Sequence, residues 1–279
     1  MDNIVLQNLS GIERFSYSKL STYETCPYSY WLNYIQKIKG IKNGFGEAGS
    51  SVHSVIEEYY KNNLSQYEIL ALFEQKWNDE FLDKGFRVQL ILPTFTRDMT
   101  DKYHDTFVNY FNNFKAYDYF TIGKKKIHCN IIGVEKKYDL LIQTPLKKII
   151  FTGLIDGLGI TDDGEYVIWD SKSKAKWKDQ EELNNYAKQL YIYALFIKTE
   201  FGKFPKYLCF NQFRLPEKDR VTVIEFNKNV FEKTIQWMFS VLEKIEKDTL
   251  FLPTCEQFFA DNLCNFRDCC EYSLKKEAK

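Results

Sequence analysis

The sequence has no run of about 18 apolar residues of the kind that spans a bilayer. Its start, Met1-Asp-Asn-Ile-Val-Leu-Gln7, lacks the basic residues and apolar stretch of a secretion signal. These absences argue against a membrane-spanning helix and lead us to expect a soluble, cytoplasmic chain. Neither charge is in excess, since 38 Lys and Arg match 38 Asp and Glu. No global positive field therefore draws in a polyanion, and any nucleic-acid binding must come from local patches. The seven cysteines are odd in number, which in an unsecreted chain argues against a disulfide framework. What is plentiful is apolar and aromatic surface, 44% and 17% of residues, enough to offset the ordering entropy that leaves polar chains disordered.

Along the chain the apolar period changes twice. Residues 15–35 read as two short helices, the first capped near Ser16 or Ser18 and the second opened by Pro27. After a loop at 39–46, Ser50 or Ser51 is expected to cap a helix whose stripe is Val52, Ile56 and Tyr59 or Tyr60, with His53 beside it. Two long helices follow, Tyr67 to Leu82 and roughly Phe95 to Tyr119, and their repeated aromatics read as core. From Lys124 the pattern becomes strand-like in three segments, separated by Pro145 and by Asp162-Asp-Gly164. A helix from Glu181 to Phe201, a hairpin around residues 216–219 and a helix from Asn229 to Lys247 complete it. The expected fold is α/β, one central mixed sheet flanked by helices. Its expected parts are an N-terminal helical region (1–123) carrying His53, a catalytic core (124–248) and a cysteine-bearing tail (249–279) that packs back on the N-terminal helices.

The chemistry gathers in two of the strands. Gly153-Leu-Ile-Asp156 and Asp170-Ser-Lys172 end β-like runs, and side chains two apart in a strand point to one side, so Asp170 and Lys172 face one spot. If the two strands pair as a hairpin, Asp156 reaches it as well. Two carboxylates are hard oxygen ligands for Mg²⁺ or Mn²⁺. A neighbouring ammonium can orient a water or balance phosphorane charge. An Asp-x-Lys triplet also arises by chance, as a surface ion pair worth about 0–1 kcal/mol.

Taken together, Gly-x-x-Asp at 153–156, Asp-x-Lys at 170–172 and Gln189-Leu-Tyr-Ile-Tyr193 resemble the RecB-like, CRISPR-associated exonuclease branch of the PD-(D/E)XK nuclease superfamily. The resemblance implies a restriction-endonuclease-like core. It also implies catalytic roles for Asp156, Asp170, Lys172, Gln189 and Tyr193. The implied metal ligands are His53, Asp156, Asp170, the Ser171 carbonyl and Glu135. Cys26 and the late cysteines resemble the subset of this branch that carries a [4Fe–4S] cluster, which takes four thiolates. Cys264 and Cys270 match two of the three late ligands, but position 261, where the third belongs, is Asp. Cys255, Cys269 or Asp261 itself could fill the gap, or the cluster has been lost.

Lys174, Lys176, Trp177 and Lys178, just beyond Lys172, are the candidate DNA contacts, Trp177 as an aromatic that could stack on a base. The resulting expectation is a metal-dependent deoxyribonuclease, an exonuclease on single strands or duplex ends. It would act in recombination, repair, or phage or CRISPR DNA processing, in the cytoplasm or, if phage-encoded, in that of the host. The partners are DNA and a protein of such a processing complex, with no membrane. The alternatives are a structure-specific endonuclease and an inactive nuclease fold that binds DNA ends.

Overall fold

The computed structural model describes residues 12–41, 44–82, 97–115, 117–145 and 147–274. The first strand, β1 (Arg14–Phe15), leads into α1 (Tyr17–Thr25), where the Ser16 hydroxyl accepts the Lys19 N–H. Next come α2 (Pro27–Tyr30), which runs on into a π-helical turn at Trp31–Ile35, α3 (Gly44–Asn62), α4 (Gln66–Trp77) and α5 (Arg97–Asn112). The sheet strands are β2 (Tyr119–Ile122), β3 (Lys125–Gln143), β4 (Lys148–Thr161) and β5 (Tyr166–Lys172). The crossover α6 (Gln180–Phe201) then leads to β6 (Tyr207–Gln212) and β7 (Val221–Glu225), followed by α7 (Lys228–Lys247) and the short α8 (Gln257–Asn262).

These strands form one seven-stranded mixed sheet in the order β2-β3-β4-β5-β6-β7, with β1 also on β4. Strands β5 and β6 run parallel, as a strand, crossover helix, strand unit must, and the other links of that path are antiparallel. β5 covers only the Gly157–Ile160 end of β4, and β1 lies parallel to the other end, at Ile150 and Phe151. Alternate residues of β5 and β6 feed two cores. Ile168, Leu208 and Phe210 pack with α1, α2, α6 and α7, whereas Val167, Trp169, Tyr207 and Cys209 pack with α3, α4 and α5. A sheet covered on both faces gives central strands that are apolar throughout rather than alternating.

The mixed α/β architecture is the one expected, with three differences. The helix bearing His53 begins at Gly44, not at a Ser50 or Ser51 cap, because both hydroxyls bond back to carbonyls of the preceding turn, Ser50 to Gly46 and Ser51 to Ala48. Strands β1 and β2 were not anticipated, and both are too short for a period of two to register. The expected start of α5 at Phe95 lies outside the described residues, and the helix ends at Asn112, short of Tyr119. Among the described residues, no helix is long and apolar enough to cross a membrane.

Candidate active site

Three neighbouring strands and two helices converge where β4 changes phase. A side chain on Gly153 would run into Phe196 and come within 2.8 Å of Tyr193, in the α6 core. One on Gly157 would come within 2.7 Å of Tyr117, in the opposite core. Residues four apart in a regular strand face the same way, so β4 turns over between them, and Asp156 lies in that interval. On β3 the register slips between Ile131 and Gly133, and Glu135 takes a left-handed backbone, φ 48°. The flanking pairs Val134 with Gly157 and Lys136 with Ile155 set Glu135 opposite Asp156. The irregularity aims two carboxylates at one place, a recognised use of bulges.

The Gly153 contacts carry a prediction. Gly153→Ala forces a methyl group between β4 and α6 and should destabilise the protein by about 1–3 kcal/mol. The fall in urea midpoint at unchanged slope would measure it.

The α3 helix delivers the imidazole. Val52, Val55 and Ile56 bury one face of the helix, and Gly49 lets it approach Ser173, whose Oγ would be 3.2 Å from an added Cβ. His53 Nδ1 thus lies 3.4 Å from Asp156 Oδ2, and the His53 ring meets Phe213 edge-on. One ligand atom from each of His53, Glu135 and Asp156 can be chosen so that all lie within 4.8 Å of one another, close enough to hold one cation. Burial, helped by Lys172, pushes the His53 pKa down to about 4, so the ring is neutral and has a lone pair to offer near pH 7.

The carboxylates are perturbed in the opposite sense. Burial raises Asp156 to about 6 against the pull of Lys172 and of the Ser171 N–H, which donates to Asp156 Oδ2 at 2.6 Å. Asp170, 1% exposed, is likewise raised to about 6 by burial and by Asp156. Its Oδ2 has the Lys172 ammonium at 2.6 Å but no well-aligned hydrogen-bond donor. Glu135 rises to about 7 through burial and the charge of Asp156. Burial opposes the charge on Lys172, but Asp170 and Asp156 outweigh it and hold the pKa above its ordinary value. Such a concentration of shifted groups is typical of active sites.

Lys172 is held from the other side as well. Its Nζ donates to Gln189 Oε1 at 3.0 Å, and Gln189 Nε2 donates to the Tyr193 hydroxyl at 2.8 Å. The pair sits four residues apart on one face of α6, a helix capped by the Asp179 carboxylate and closed by Gly202. Asp170 is thus turned toward the lysine and is not in the three-atom ligand group. The Ser171 carbonyl, expected to face a metal, is in hydrogen-bond reach of the His53 ring.

A buried polar buttress behind Ser171 went unnoticed in the sequence. The Ser171 hydroxyl bonds the Tyr117 hydroxyl at 2.7 Å and accepts from Asn211 Nδ2 at 3.1 Å, and Asn211 also donates to Tyr110. Its one visible signal was Asn211-Gln212 closing an otherwise apolar strand, since buried polar residues are there to be hydrogen-bonded.

Beyond the site, Lys176 and Lys178 are exposed, whereas Lys174 is paired with Glu182 at 2.7 Å. Trp177 is half-buried. Its ring packs on Phe210 and Tyr186, and its N–H donates to the Thr222 hydroxyl. Of the cysteines, Cys26, Cys264 and Cys270 are buried, Cys255 is half-buried and Cys269 is exposed. Asp261 Oδ1 accepts from Gln257, Ser273 and the Leu274 N–H.

Comparison with known proteins adds three findings. The family profile described as the PD-(D/E)XK nuclease superfamily matches residues 14–271. No curated protein matches the sequence. A solved structure described as "Crystal structure of SSO0001" aligns over 94% of this chain and 87% of its own, at 13% identity and a TM-score of 0.40.

Proposed function

Because this chain belongs to the PD-(D/E)XK nuclease superfamily, whose members are metal-dependent nucleases, we propose that it is a deoxyribonuclease that degrades DNA from single-stranded or duplex ends. The observation that carries the reading is the His53, Glu135 and Asp156 ligand group set beside the buried Asp170–Lys172 pair. The two carboxylates suit Mg²⁺ or Mn²⁺, and the neutral imidazole is the softer donor of the set. A bound divalent cation would polarise a phosphoryl oxygen and acidify a water. Lys172 stays protonated, so it acts as a fixed positive charge facing the phosphate and the attacking water and not as a base. Gln189 and Tyr193 fix the direction in which that ammonium points. A cleft lined by Ser16, Ser18, Lys137, Thr152 and Tyr193 opens beside Gly153 and offers hydroxyls and one cation to a sugar-phosphate backbone.

The preference for ends rests on the RecB-like pattern of Gln189 and Tyr193 with an upstream histidine. Recombination, repair, and phage or CRISPR DNA processing are the settings that pattern implies. The proposal includes a [4Fe–4S] cluster, as a fastener of the two ends of the chain and not as a reactant.

End-labelled linear DNA and covalently closed circles, single- and double-stranded, incubated with Mg²⁺ or Mn²⁺, test the reading. Loss of the linear substrates alone, abolished by EDTA, is the expected result. Cutting of closed circles would make the protein an endonuclease, and DNA binding without cleavage of any substrate would end the enzyme reading.

A further inference from the structure

Two ligands of the candidate cation site meet at a single residue, Ser171. The β4–β5 ladder stops at Gly157 and Trp169. Beyond it the Ser171 N–H donates to a side chain, Asp156 Oδ2 at 2.6 Å, and its carbonyl is in reach of the His53 ring. The backbone of one residue thus touches two members of the ligand group, His53 and Asp156. A carboxylate has about four lone-pair sites, so this amide bond fixes the direction of Asp156 and still leaves oxygen for a cation.

Ser171 is itself held through its side chain. Its hydroxyl is buried and bonds Tyr117 Oη at 2.7 Å, and it accepts from Asn211 Nδ2 at 3.1 Å. Asn211 donates its other amide hydrogen to the Tyr110 hydroxyl at 2.7 Å, so both hydrogens are committed. Tyr117 also ties the surrounding elements together. Its ring stacks on Trp169 of β5 at 5.2 Å and on Tyr60 of α3 at 5.5 Å, and its N–H donates to the Tyr60 hydroxyl at 2.6 Å. Tyr60 lies about two turns beyond His53 on that helix. Gly157, next to Asp156, leaves the space that the Tyr117 ring fills. One tyrosine therefore reaches the strand of Asp156, the strand of Ser171 and the helix of His53.

We propose that Tyr117 and Asn211 are positioning residues that set the cation affinity of the site, acting through the Ser171 hydroxyl on Asp156 and His53. The inference deepens the proposed function and rests on its metal site. The two side chains grip one oxygen from different places, the segment before β2 and the strand β6. Losing either grip lets Ser171 shift, and the carboxylate bonded to its N–H shifts with it. A ligand that must be reordered as the ion arrives gives up affinity, because the ordering entropy is then lost on binding and not on folding. Removing a hydrogen-bond partner behind a metal ligand costs about 10–100-fold. Neither residue belongs to the chain of bonds from Lys172 through Gln189 to Tyr193, so the ammonium keeps its own support. Tyr117→Phe isolates the effect, since it keeps both ring stacks and the backbone bond to Tyr60 and removes only the hydroxyl.

Calorimetric titration of the full-length protein with MgCl₂ and with MnCl₂, without DNA, tests the assignment. Tyr117→Phe, Asn211→Leu and Ser171→Ala should each weaken binding by about 10-fold or more. Tyr117→Phe added to Ser171→Ala should weaken it by less than about twofold further, because the oxygen it acts through is already gone. Tyr23→Phe removes a 2.8 Å hydroxyl bond to Asp248 in the other core and should leave the affinity unchanged. Melting of the metal-free proteins checks folding, and if Asn211→Leu does not fold, Tyr117→Phe, short of a single oxygen, decides. Wild-type affinity in Tyr117→Phe, an equal loss in Tyr23→Phe, or additive losses in the double variant would each overturn the assignment and leave the buttress as packing alone. A wild-type protein that binds neither ion would sink this assignment together with the metal-dependent reading. If binding follows the expected pattern and DNA is not cleaved, the nuclease reading falls and the positioning role stands.

Discussion

Lys172→Met is expected to slow DNA cleavage by about 10²–10³-fold, the range for a lost donor to developing transition-state charge, while leaving the affinity for Mg²⁺ or Mn²⁺ equal or higher. The two effects separate because the ammonium repels the cation that the carboxylates attract. It lies 2.6 Å from Asp170 Oδ2 and is charged in the folded protein. Removing it leaves Asp170 buried without a partner, which costs about 3–5 kcal/mol in metal-free protein, and a bound cation restores part of that. Single-turnover cleavage at pH 8, with calorimetric metal titration and melting curves with and without Mg²⁺, reads all three quantities. If rate and metal affinity fall in parallel, Lys172 only holds Asp170 in place and has no role toward phosphate.

The second large effect is on pH. Burial raises Asp156 and Asp170 to about 6 and Glu135 to about 7, so a cation must displace protons to bind on the acid side. The half-saturating Mg²⁺ concentration should therefore rise as pH falls from 8 to 6, up to about tenfold per pH unit for each proton displaced. His53, lowered to about 4, stays neutral over this range and adds nothing to the slope. Stability follows with a definite sign. These carboxylates have folded pKa values above their unfolded ones, so their contribution is fully present below about pH 4 and is lost as pH rises through about 6 to 7. Metal-free protein should lose melting temperature from pH 5 to pH 8, and Mg²⁺ should restore more of it at pH 8 than at pH 5.5. The double variant Glu135→Gln, Asp156→Asn subtracts the rest of the protein, and an unchanged slope in it would remove these two groups as the cause.

The contrast between what sequence shows and what it hides has a physical basis. Asp170 with Lys172, and Gln189 with Tyr193, each lie within a single element, so the periods of strand and helix place them without knowledge of the fold. Glu135 depends on a left-handed residue beside a slipped register in a 19-residue strand, and nothing in Gly133-Val-Glu135 announces that geometry. The Ser171–Asn211 bond joins strands brought together by the parallel pairing of β5 and β6, and Tyr117 reaches Ser171 from the segment before β2. Ser50 and Ser51 misled because a hydroxyl near a helix start can cap forward or bond back, and only the backbone decides. The packing of Trp177 on Phe210 is hidden because an aromatic among lysines reads the same whether it faces solvent or a core. Among the cysteines, spacing alone leaves Cys255, Cys269 and Asp261 equal.

The place of β1 beside β4 has a consequence for how the chain is made. Phe15, Leu20 and Tyr23 belong to a core whose sheet partners, Ile150 and Phe151, are encoded far downstream. At ~5–20 residues per second, a ribosome takes roughly 10–30 s to reach them. For that interval Phe15, Leu20 and Tyr23 have no sheet to join, so their segment stays exposed to chaperones and proteases during synthesis.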